Sequence, residues 1–157
     1  MKNTLFKRLI LALCLMTLAL ALTGCGQPQK AVDLAKAYQG MVDTGRLPAM
    51  IALDAEEALN LIGLETDQMA QAVVMISQDS LLADEVILLE ARDKAIADNA
   101  FQLLEGRMKA KGDEARAYSP EQYAIINKGI LKQEGLVLLL LVSPEVDALY
   151  AVYNGMK

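Results

Sequence analysis

The chain has 157 residues, of which 54% are hydrophobic, 22% are charged and only 4% are aromatic. This length suits one domain plus a targeting segment, and the composition excludes disordered, collagen-like and low-complexity proteins. There is no His, so the usual general base and the commonest zinc ligand are missing. Twenty acidic residues against 15 basic ones give a net charge of −5, so we expect no nucleic-acid partner.

The N-terminus has the pattern of an export signal. An apolar run follows at residues 9–22, too short for a membrane span of about 20 residues but typical of a signal peptide. Three basic residues supply the positive flank that such a signal keeps in the cytoplasm: Lys2, Lys7 and Arg8.

The run ends at Leu22-Thr23-Gly24-Cys25, which resembles the bacterial lipobox. The resemblance implies cleavage after Gly24 and attachment of diacylglycerol to the Cys25 sulphur. Residues 1–24 are then the signal peptide, and residues 25–30 are the lipidated Cys and a short spacer. Two alternatives are an ordinary cleaved signal peptide and an uncleaved membrane anchor, both with Cys25 incidental.

Cleavage would change the charge and the thiol content of the chain. Residues 1–24 contain three basic residues and no acid, so 12 basic residues would face 20 acidic ones, a net charge of −8. Anionic headgroups repel such a surface, and the lipid alone would hold the protein at the outer face of the cytoplasmic membrane. Cys14 leaves with the signal, so no disulfide is expected.

Residues 31–157 are predicted to form a single domain that begins with two helices. Apolar residues at helical spacing predict the first helix over residues 31–44, with Gly45 placed to end it. Residues 47–50 are predicted to be a connector. Asp54 is a candidate N-cap for a short second helix that Gly63 ends.

Two strands and a long helix are predicted next. Residues 68–78 are ambiguous between helix and strand, although their β-branched centre favours a strand. Residues 85–92 form a clearer strand. Asp93 then caps a helix that is predicted to run to about Lys111 and to end at Gly112.

The C-terminal part repeats this pattern without repeating the residues. Ser119 and Pro120 open a short helix that extends through Asn127. Strands are predicted at residues 130–133 and 136–142, joined by a tight turn, and a last helix follows Ser143-Pro144.

The resulting order is α-α-β-β-α-α-β-β-α, which predicts an α+β domain with a four-stranded, mainly antiparallel sheet. Two ββα units, 68–111 and 130–154, supply the strands. The run 136–142 lacks polar alternation, so both of its faces should be buried. The helices of the two units can cover one face. The other face needs the N-terminal helices, a ligand or a partner chain, which could be a second copy in a homodimer.

The order of these landmarks resembles the bacterial lipoproteins catalogued as domain of unknown function 4358. The resemblance covers residues 30–154, and it implies a small secreted α+β lipoprotein domain, mostly from anaerobic Gram-positive bacteria, with no known activity. Ala49 departs from it, because such sequences often carry an acid there. The matching segments are the lipobox, Leu47-Pro48-Ala49-Met50, Ala83-Asp84-Glu85-Val86, the long helix, Tyr118-Ser119-Pro120-Glu121-Gln122 and Val142-Ser143-Pro144.

Candidate catalytic groups are few. Asp43-Thr44-Gly45 matches the aspartic-protease tripeptide, but a single copy at a predicted helix end is better explained as a helix stop. Glu85 and Glu90 share a predicted strand, where a spacing of five places them on opposite faces and argues against a common site. No pattern typical of metal or cofactor binding occurs, so we expect neither.

Three residues remain as weak interaction candidates: Glu85, Tyr118 and Glu121. The leading hypothesis is a non-enzymatic interaction or ligand-binding module, anchored to the membrane through diacylglyceryl-Cys25 and facing a protein or envelope partner. One alternative is a cell-wall hydrolase with two acids about 5–10 Å apart. The other is a small-molecule-binding lipoprotein that serves a transporter.

Overall fold

The computed structural model describes residues 32–157. Cys25, the predicted signal peptide and the spacer lie outside the described residues. The described part has five helices and five strands, with a turn of 3₁₀ helix before the second strand. The helices are α1 (Leu34–Asp43), α2 (Ala55–Ile62), α3 (Lys94–Tyr118), α4 (Pro120–Lys128) and α5 (Val146–Asn154). The strands are β1 (Met50–Ala52), β2 (Met69–Ser77), β3 (Glu85–Ala91), β4 (Ile130–Glu134) and β5 (Val137–Val142).

The strands form one antiparallel sheet in the order β1-β2-β3-β5-β4. The two most apolar strands, β3 and β5, lie next to each other in the middle, in a register that runs from Glu85 opposite Val142 to Glu90 opposite Val137. The apolar β5 is almost completely buried, as the lack of polar alternation predicts.

Helices cover both faces of the sheet. Side chains of α2 and α3 pack on one face, against Ile87 and Leu89 of β3 and alternate residues of β5. Side chains of α1 and α5 pack on the other face, against Val86 and Leu88 of β3. The alternation of strand side chains therefore divides the core into two clusters that share β3 and β5.

Four helices begin at the polar residues that cap them. The side chains of Asp54, Asp93 and Ser119 each accept a hydrogen bond from a backbone N–H in the first turn that follows, which confirms the predicted caps. Asp33 caps α1 in the same way.

The prediction of four strands and of two consecutive N-terminal helices was wrong. Residues 50–52 form the edge strand β1, which pairs with the end of β2. The connector predicted at residues 47–50 overlaps this strand at Met50. The observed order is α-β-α-β-β-α-α-β-β-α. A strand of three residues is too short to show alternation, so its pairing partner determines it rather than its own pattern.

The predicted end of the long helix at Gly112 was also wrong, because α3 continues to Tyr118. Gly112 packs against α4, where a Cβ atom would lie 3.6 Å from Ile126 and 3.9 Å from Tyr123. Here the missing side chain serves helix packing and not a helix stop.

The placement of the helices differs from the prediction as well. The helices of the two ββα units, α3 and α5, lie on opposite faces of the sheet and not together on one face. Each is joined by one N-terminal helix, α2 beside α3 and α1 beside α5. The second face, for which a ligand or partner chain was an alternative, is thus covered by helices of this chain.

Candidate functional site

A buried carboxylate lies at the start of β3. Glu85 is 0% exposed, and its side chain points towards α3. Arg107 donates to Glu85 Oε1 from Nη2 at 2.6 Å and from Nε at 2.8 Å, and the Nζ of Lys111 lies 3.2 Å from Oε2. Arg107 and Lys111 are four residues apart and therefore lie on one face of the helix.

This ion cluster joins the sheet to α3, since Arg107 and Lys111 both bind Glu85. A buried carboxylate requires charged partners to offset its desolvation, and Arg107 and Lys111 serve that purpose here. Glu85, predicted as an interaction candidate, is consequently inaccessible to an external ligand and has a structural role.

Lys111 also fixes the loop that leads into β3. Its Nζ donates to the carbonyl oxygen of Ala83 at 2.8 Å, and the backbone N–H of Ala83 donates to the Gln122 side chain at 2.7 Å. Both backbone polar groups of Ala83 are thereby tied to α3 and α4. The segment 78–84 is held at its C-terminal end by two helices as well as by the sheet.

The held segment forms one wall of a cavity of about 400 Å³, which we name the loop groove. Three apolar side chains beside it are exposed: Leu81 at 80%, Leu82 at 37% and Tyr118 at 67%. The other residues that line it are Ser80, Ala83, Lys111, Glu114, Ala115, Ser119, Gln122 and Ile126.

The charges around the loop groove are mostly acidic. Glu114 is the one carboxylate that lines it, and its hydrogen bond with the Tyr118 hydroxyl raises the pKa of Tyr118. Asp79 and Glu121 are exposed and adjoin lining residues in sequence. None of these three acids forms an ion pair within residues 32–157. Lys111 is the one cation in the lining, and it shares the single carboxylate of Glu85 with Arg107.

A second buried carboxylate, Asp84, precedes the ion cluster. Burial raises the pKa of Asp84, although a hydrogen bond with the Ser143 side chain and the charge of Lys111 act in the opposite direction. Its Oδ1 atom is buried without a hydrogen-bond partner among the described residues. The ionised form of Asp84 is therefore poorly supported by its surroundings.

The structure brings only one of the predicted interaction candidates to the loop groove. Tyr118 lies at its edge, whereas Glu121 sits in the first turn of α4 outside the lining, and Glu85 is buried and does not line it. Cys25, the predicted lipid attachment site, is outside the described residues.

The positions of Glu90 and Asp43 explain the two remaining catalytic patterns of the sequence, the pair Glu85 and Glu90 and the tripeptide 43–45. Glu90 binds Gln71 on the α1 side of the sheet, away from Glu85, as the strand spacing predicts. Asp43 is the last residue of α1, and Gly45 follows with a φ of 67°, so the tripeptide marks a helix end.

Arg107, Lys111 and Gln122 were missed by sequence reasoning. Their signal is weak, because a four-residue spacing of cations on a helix is usually solvated. Only their proximity to the start of β3 gives them a role, and that proximity depends on how α3 and α4 pack against the sheet.

Two further cavities involve α3. One, of about 500 Å³, lies between α2 and α3, is lined by Arg107 and Lys111 and shares Glu114 with the loop groove. The other, of about 330 Å³, lies between α3 and α4 and is lined by two acids, Glu105 and Asp113.

Neither a metal cluster nor a membrane-crossing helix is found in the part of the chain that the structure describes. No three His, Cys, Asp or Glu side chains of residues 32–157 are placed to hold a metal ion. None of the helices there combines the length and the apolar character needed to cross a bilayer.

Comparison with known proteins gives one match. The model of a family described as "Domain of unknown function (DUF4358)" matches residues 43–143, more than half of the chain. That segment includes the whole loop groove and the ion cluster. It excludes α5 and all of α1 except its last residue. No curated protein and no solved structure matches the chain.

Proposed function

Since the chain belongs to the DUF4358 family, whose description assigns no activity, we propose a function from its residues alone. The protein is a lipoprotein, anchored through diacylglyceryl-Cys25 at the outer face of the cytoplasmic membrane. It is a non-enzymatic binding module, and the loop groove holds a segment of a protein partner. That segment presents an apolar side chain flanked by Lys or Arg.

The exposed apolar side chains of the loop groove carry this proposal. Leu81, Leu82 and Tyr118 are exposed beside one cavity, and the segment that carries both Leu residues is tied to two helices through Ala83. A cluster of exposed apolar side chains on a held loop is typical of a contact surface, because exposing it to water without a partner is unfavourable.

The charges around the loop groove select a basic partner. Glu114 lines the loop groove, and Asp79 and Glu121 adjoin lining residues in sequence. None of these three acids forms an ion pair among the described residues, and Lys111 is the one cation in the lining. The chain as a whole is acidic, with a net charge of −5 that becomes −8 if residues 1–24 are removed. A basic segment is attracted by this field and an acidic one is repelled.

The alternative of a hydrolase with two acids is supported less well. The loop groove is lined by a single carboxylate, Glu114. Glu105 and Asp113 both line the cavity between α3 and α4, where a hydrogen bond from Lys109 lowers the pKa of Asp113 and makes Asp113 unsuited to be the general acid. A general acid in such an enzyme needs a raised pKa.

The anchor is tested by labelling growing cells with an alkyne-tagged fatty acid. We expect the label on the wild-type chain and on Cys14→Ser, but none on Cys25→Ser, because only Cys25 lies at the predicted lipidation site. Label retained by Cys25→Ser would contradict lipidation at that sulphur, whatever the loop groove binds.

The loop groove is tested with two synthetic peptides, a leucine flanked by lysines and the same leucine flanked by glutamates. Binding to the full-length chain in nonionic detergent is followed by NMR shifts of backbone amides. We expect the lysine peptide to shift signals of residues 80–83 and 118–122, and the glutamate peptide to shift none.

Variants locate the contact. Leu81→Ser and Glu114→Gln should each weaken binding of the lysine peptide by about tenfold, since each removes one part of the complementarity. Leu136→Ser is the control, because Leu136 is also partly exposed but lies at the turn between β4 and β5. Equal binding of both peptides, or an effect of Leu136→Ser as large as that of Leu81→Ser, would reject the loop groove as the site.

A further inference from the structure

A partly exposed ammonium group is bonded at the end of α5, far along the sheet from the loop groove. Lys157 folds back onto β4, where its Nζ lies 2.7 Å from Glu134 Oε1 and 2.6 Å from Oε2. The same Nζ donates to Asn154 Oδ1 at 2.8 Å. Three oxygen acceptors thus surround one ammonium group, which has three N–H donors.

Aromatic rings complete the enclosure. The Nζ of Lys157 lies 4.7 Å from the ring centroid of Tyr153 and 6.0 Å from that of Tyr150. The two rings are stacked, with centroids 6.4 Å apart. Ring faces attract a cation through their quadrupoles, so they add to the attraction of the Glu134 carboxylate. We name Glu134, Tyr150, Tyr153 and Asn154 the ammonium cage.

The cage is held in shape by contacts that do not involve Lys157. The Tyr153 hydroxyl donates to Glu134 Oε2 at 3.2 Å, and the Tyr150 hydroxyl lies 3.4 Å from Oε1. Lys132 donates to the Tyr150 hydroxyl at 2.7 Å and lies 4.1 Å from its ring centroid. These bonds join β4 to α5, so the cage should persist when the Lys157 side chain is withdrawn.

Glu134 is suited to hold a cation. Burial opposes its ionisation, but the hydrogen bonds of Lys157 and Tyr153 and the charges of Lys157 and Lys132 together keep the pKa of Glu134 below its ordinary value. A partly buried carboxylate that loses its cation would need another, and this need favours exchange of one ammonium group for another.

We propose that the ammonium cage binds a primary ammonium group of an external molecule, such as a lysyl side chain, and that Lys157 closes the cage by occupying it. The three acceptors fit a primary ammonium group, whose three N–H groups can all be bonded. A quaternary ammonium group has no N–H to donate and should bind less well.

The self-occupied cage has a measurable consequence. Lys157 is joined to α5 by Gly155 and Met156 only, so its side chain can leave without unfolding the helix. A ligand that requires the open cage binds with an apparent affinity reduced by the open fraction. If the cage is open for about a tenth of the time, removing the Lys157 side chain raises the affinity about tenfold.

This proposal does not depend on the proposed function. The cage adjoins the turn where Glu134 pairs with Val137, whereas the loop groove lies at the other end of the central strands, where Glu85 pairs with Val142. Three of the four cage residues also lie outside the segment that the family model matches.

The test uses the full-length chain in a nonionic detergent, which carries no ammonium group, with ¹³C-labelled tyrosine. Nα-acetyl-lysine methylamide is titrated into the wild type, Lys157→Ala and a control, Lys128→Ala, whose exposed lysine forms no ion pair among the described residues. Nα-acetyl-norleucine methylamide and the trimethyl-lysine derivative are the comparison ligands. Circular dichroism verifies that each variant is folded.

We expect saturable shifts of the Tyr150 and Tyr153 ring signals in Lys157→Ala with the lysine ligand and none with norleucine. The trimethyl ligand should bind to Lys157→Ala more weakly than the lysine ligand does. The wild type and Lys128→Ala should bind the lysine ligand about tenfold more weakly than Lys157→Ala does. Adding Glu134→Gln to Lys157→Ala should abolish binding of the lysine ligand. A folded Lys157→Ala that shows no saturable shift, or one that norleucine shifts equally, would overturn the site. Equal affinities of the wild type and Lys157→Ala would overturn its closure by Lys157.

Discussion

At the scale of single residues, Glu85 illustrates how position decides the role of a charge. Its carboxylate is fully buried and bonded to Arg107 and Lys111, so it contributes to stability and not to ligand contact. Asp84, one residue earlier, is also buried but lacks a cation bonded to it, and one of its oxygens has no partner in the described part of the chain. The two neighbours should therefore respond oppositely to neutralisation.

Replacing Glu85 by Ala should lower the free energy of unfolding by about 3 kcal/mol, because it leaves two partly buried cations without their counter-charge. Urea unfolding followed by circular dichroism measures the loss. Glu121→Ala is the control, since Glu121 is exposed and should change stability by less than about 0.5 kcal/mol. A loss below about 1 kcal/mol for Glu85→Ala would show that Arg107 and Lys111 are satisfied by water instead.

The pH dependence of stability should report Asp84. Burial raises its pKa above 3.8 in the folded state, so the folded protein binds a proton more tightly than the unfolded chain does. The associated stability is fully present below the unfolded pKa and is lost as the pH rises through the folded pKa.

Asp84→Asn removes this titration. We expect the stability of Asp84→Asn relative to the wild type to increase as the pH is raised from about 3.8, which urea midpoints at several pH values would reveal. Asp79→Asn serves as the comparison, because Asp79 is exposed and should give a flat difference. A difference for Asp84→Asn that is independent of pH would show that burial does not perturb this carboxyl.

At the scale of elements, two glycines beside α4, Gly112 in α3 and Gly129 at the end of α4, should respond oppositely to replacement by alanine. A Cβ atom on Gly112 would make ordinary contacts at 3.6 Å and 3.9 Å, whereas one on Gly129 would lie 2.9 Å from the carbonyl oxygen of Ile126 and 3.1 Å from that of Leu141. The first glycine lies inside a helix and the second at a close backbone approach.

Gly112→Ala should therefore raise the free energy of unfolding by about 0.5–1 kcal/mol, since alanine favours the helix more than glycine does. Gly129→Ala should lower it by about 1–3 kcal/mol, because backbone atoms would have to move. Thermal unfolding of both variants shows whether each one is stabilised or destabilised. Gly106→Ala is the control, because a Cβ atom at Gly106 would meet no atom within 4 Å. A destabilised Gly112→Ala would mean that α3 and α4 pack too closely for one methyl group.

Local patterns explain which elements were predictable. Nearby residues determine the strands 85–91 and 137–142 and the caps Asp54, Asp93 and Ser119, which were predicted correctly. Residues 68–78 were ambiguous between helix and strand, with a strand favoured, and residues 69–77 form a strand. The edge strand at residues 50–52 and the passage of α3 through Gly112 depend on partners distant in sequence, β2 and α4. Tyr118 was recognised as a candidate from the residues around it in the sequence. The exposure of Leu81 depends on the folded structure and was not predicted.

At the scale of the whole molecule, the two core clusters share the central pair β3 and β5. Leu104 of α3 belongs to one cluster and Leu149 of α5 to the other, and both are fully buried. Because the same two strands form the floor of each cluster, loss of either cluster should unfold the sheet as a unit.

Leu104→Ala and Leu149→Ala should each lower the free energy of unfolding by about 2–5 kcal/mol and keep a single transition. Circular dichroism and tyrosine fluorescence, recorded against urea concentration, should give coincident curves for both variants. Leu61→Ala, at an exposed position of α2, should have little effect. Separate transitions for the two probes would show that the two faces of the sheet unfold independently.

The double attachment of Ala83 has a consequence for binding kinetics. Its N–H and its carbonyl oxygen are both bonded to helix side chains, so the adjoining Leu82 and Leu81 start from a restricted set of conformations. A preorganised loop loses little conformational entropy on association, and the saving is expressed mainly in slow dissociation. Loosening either attachment should shorten the lifetime of a complex at the loop groove.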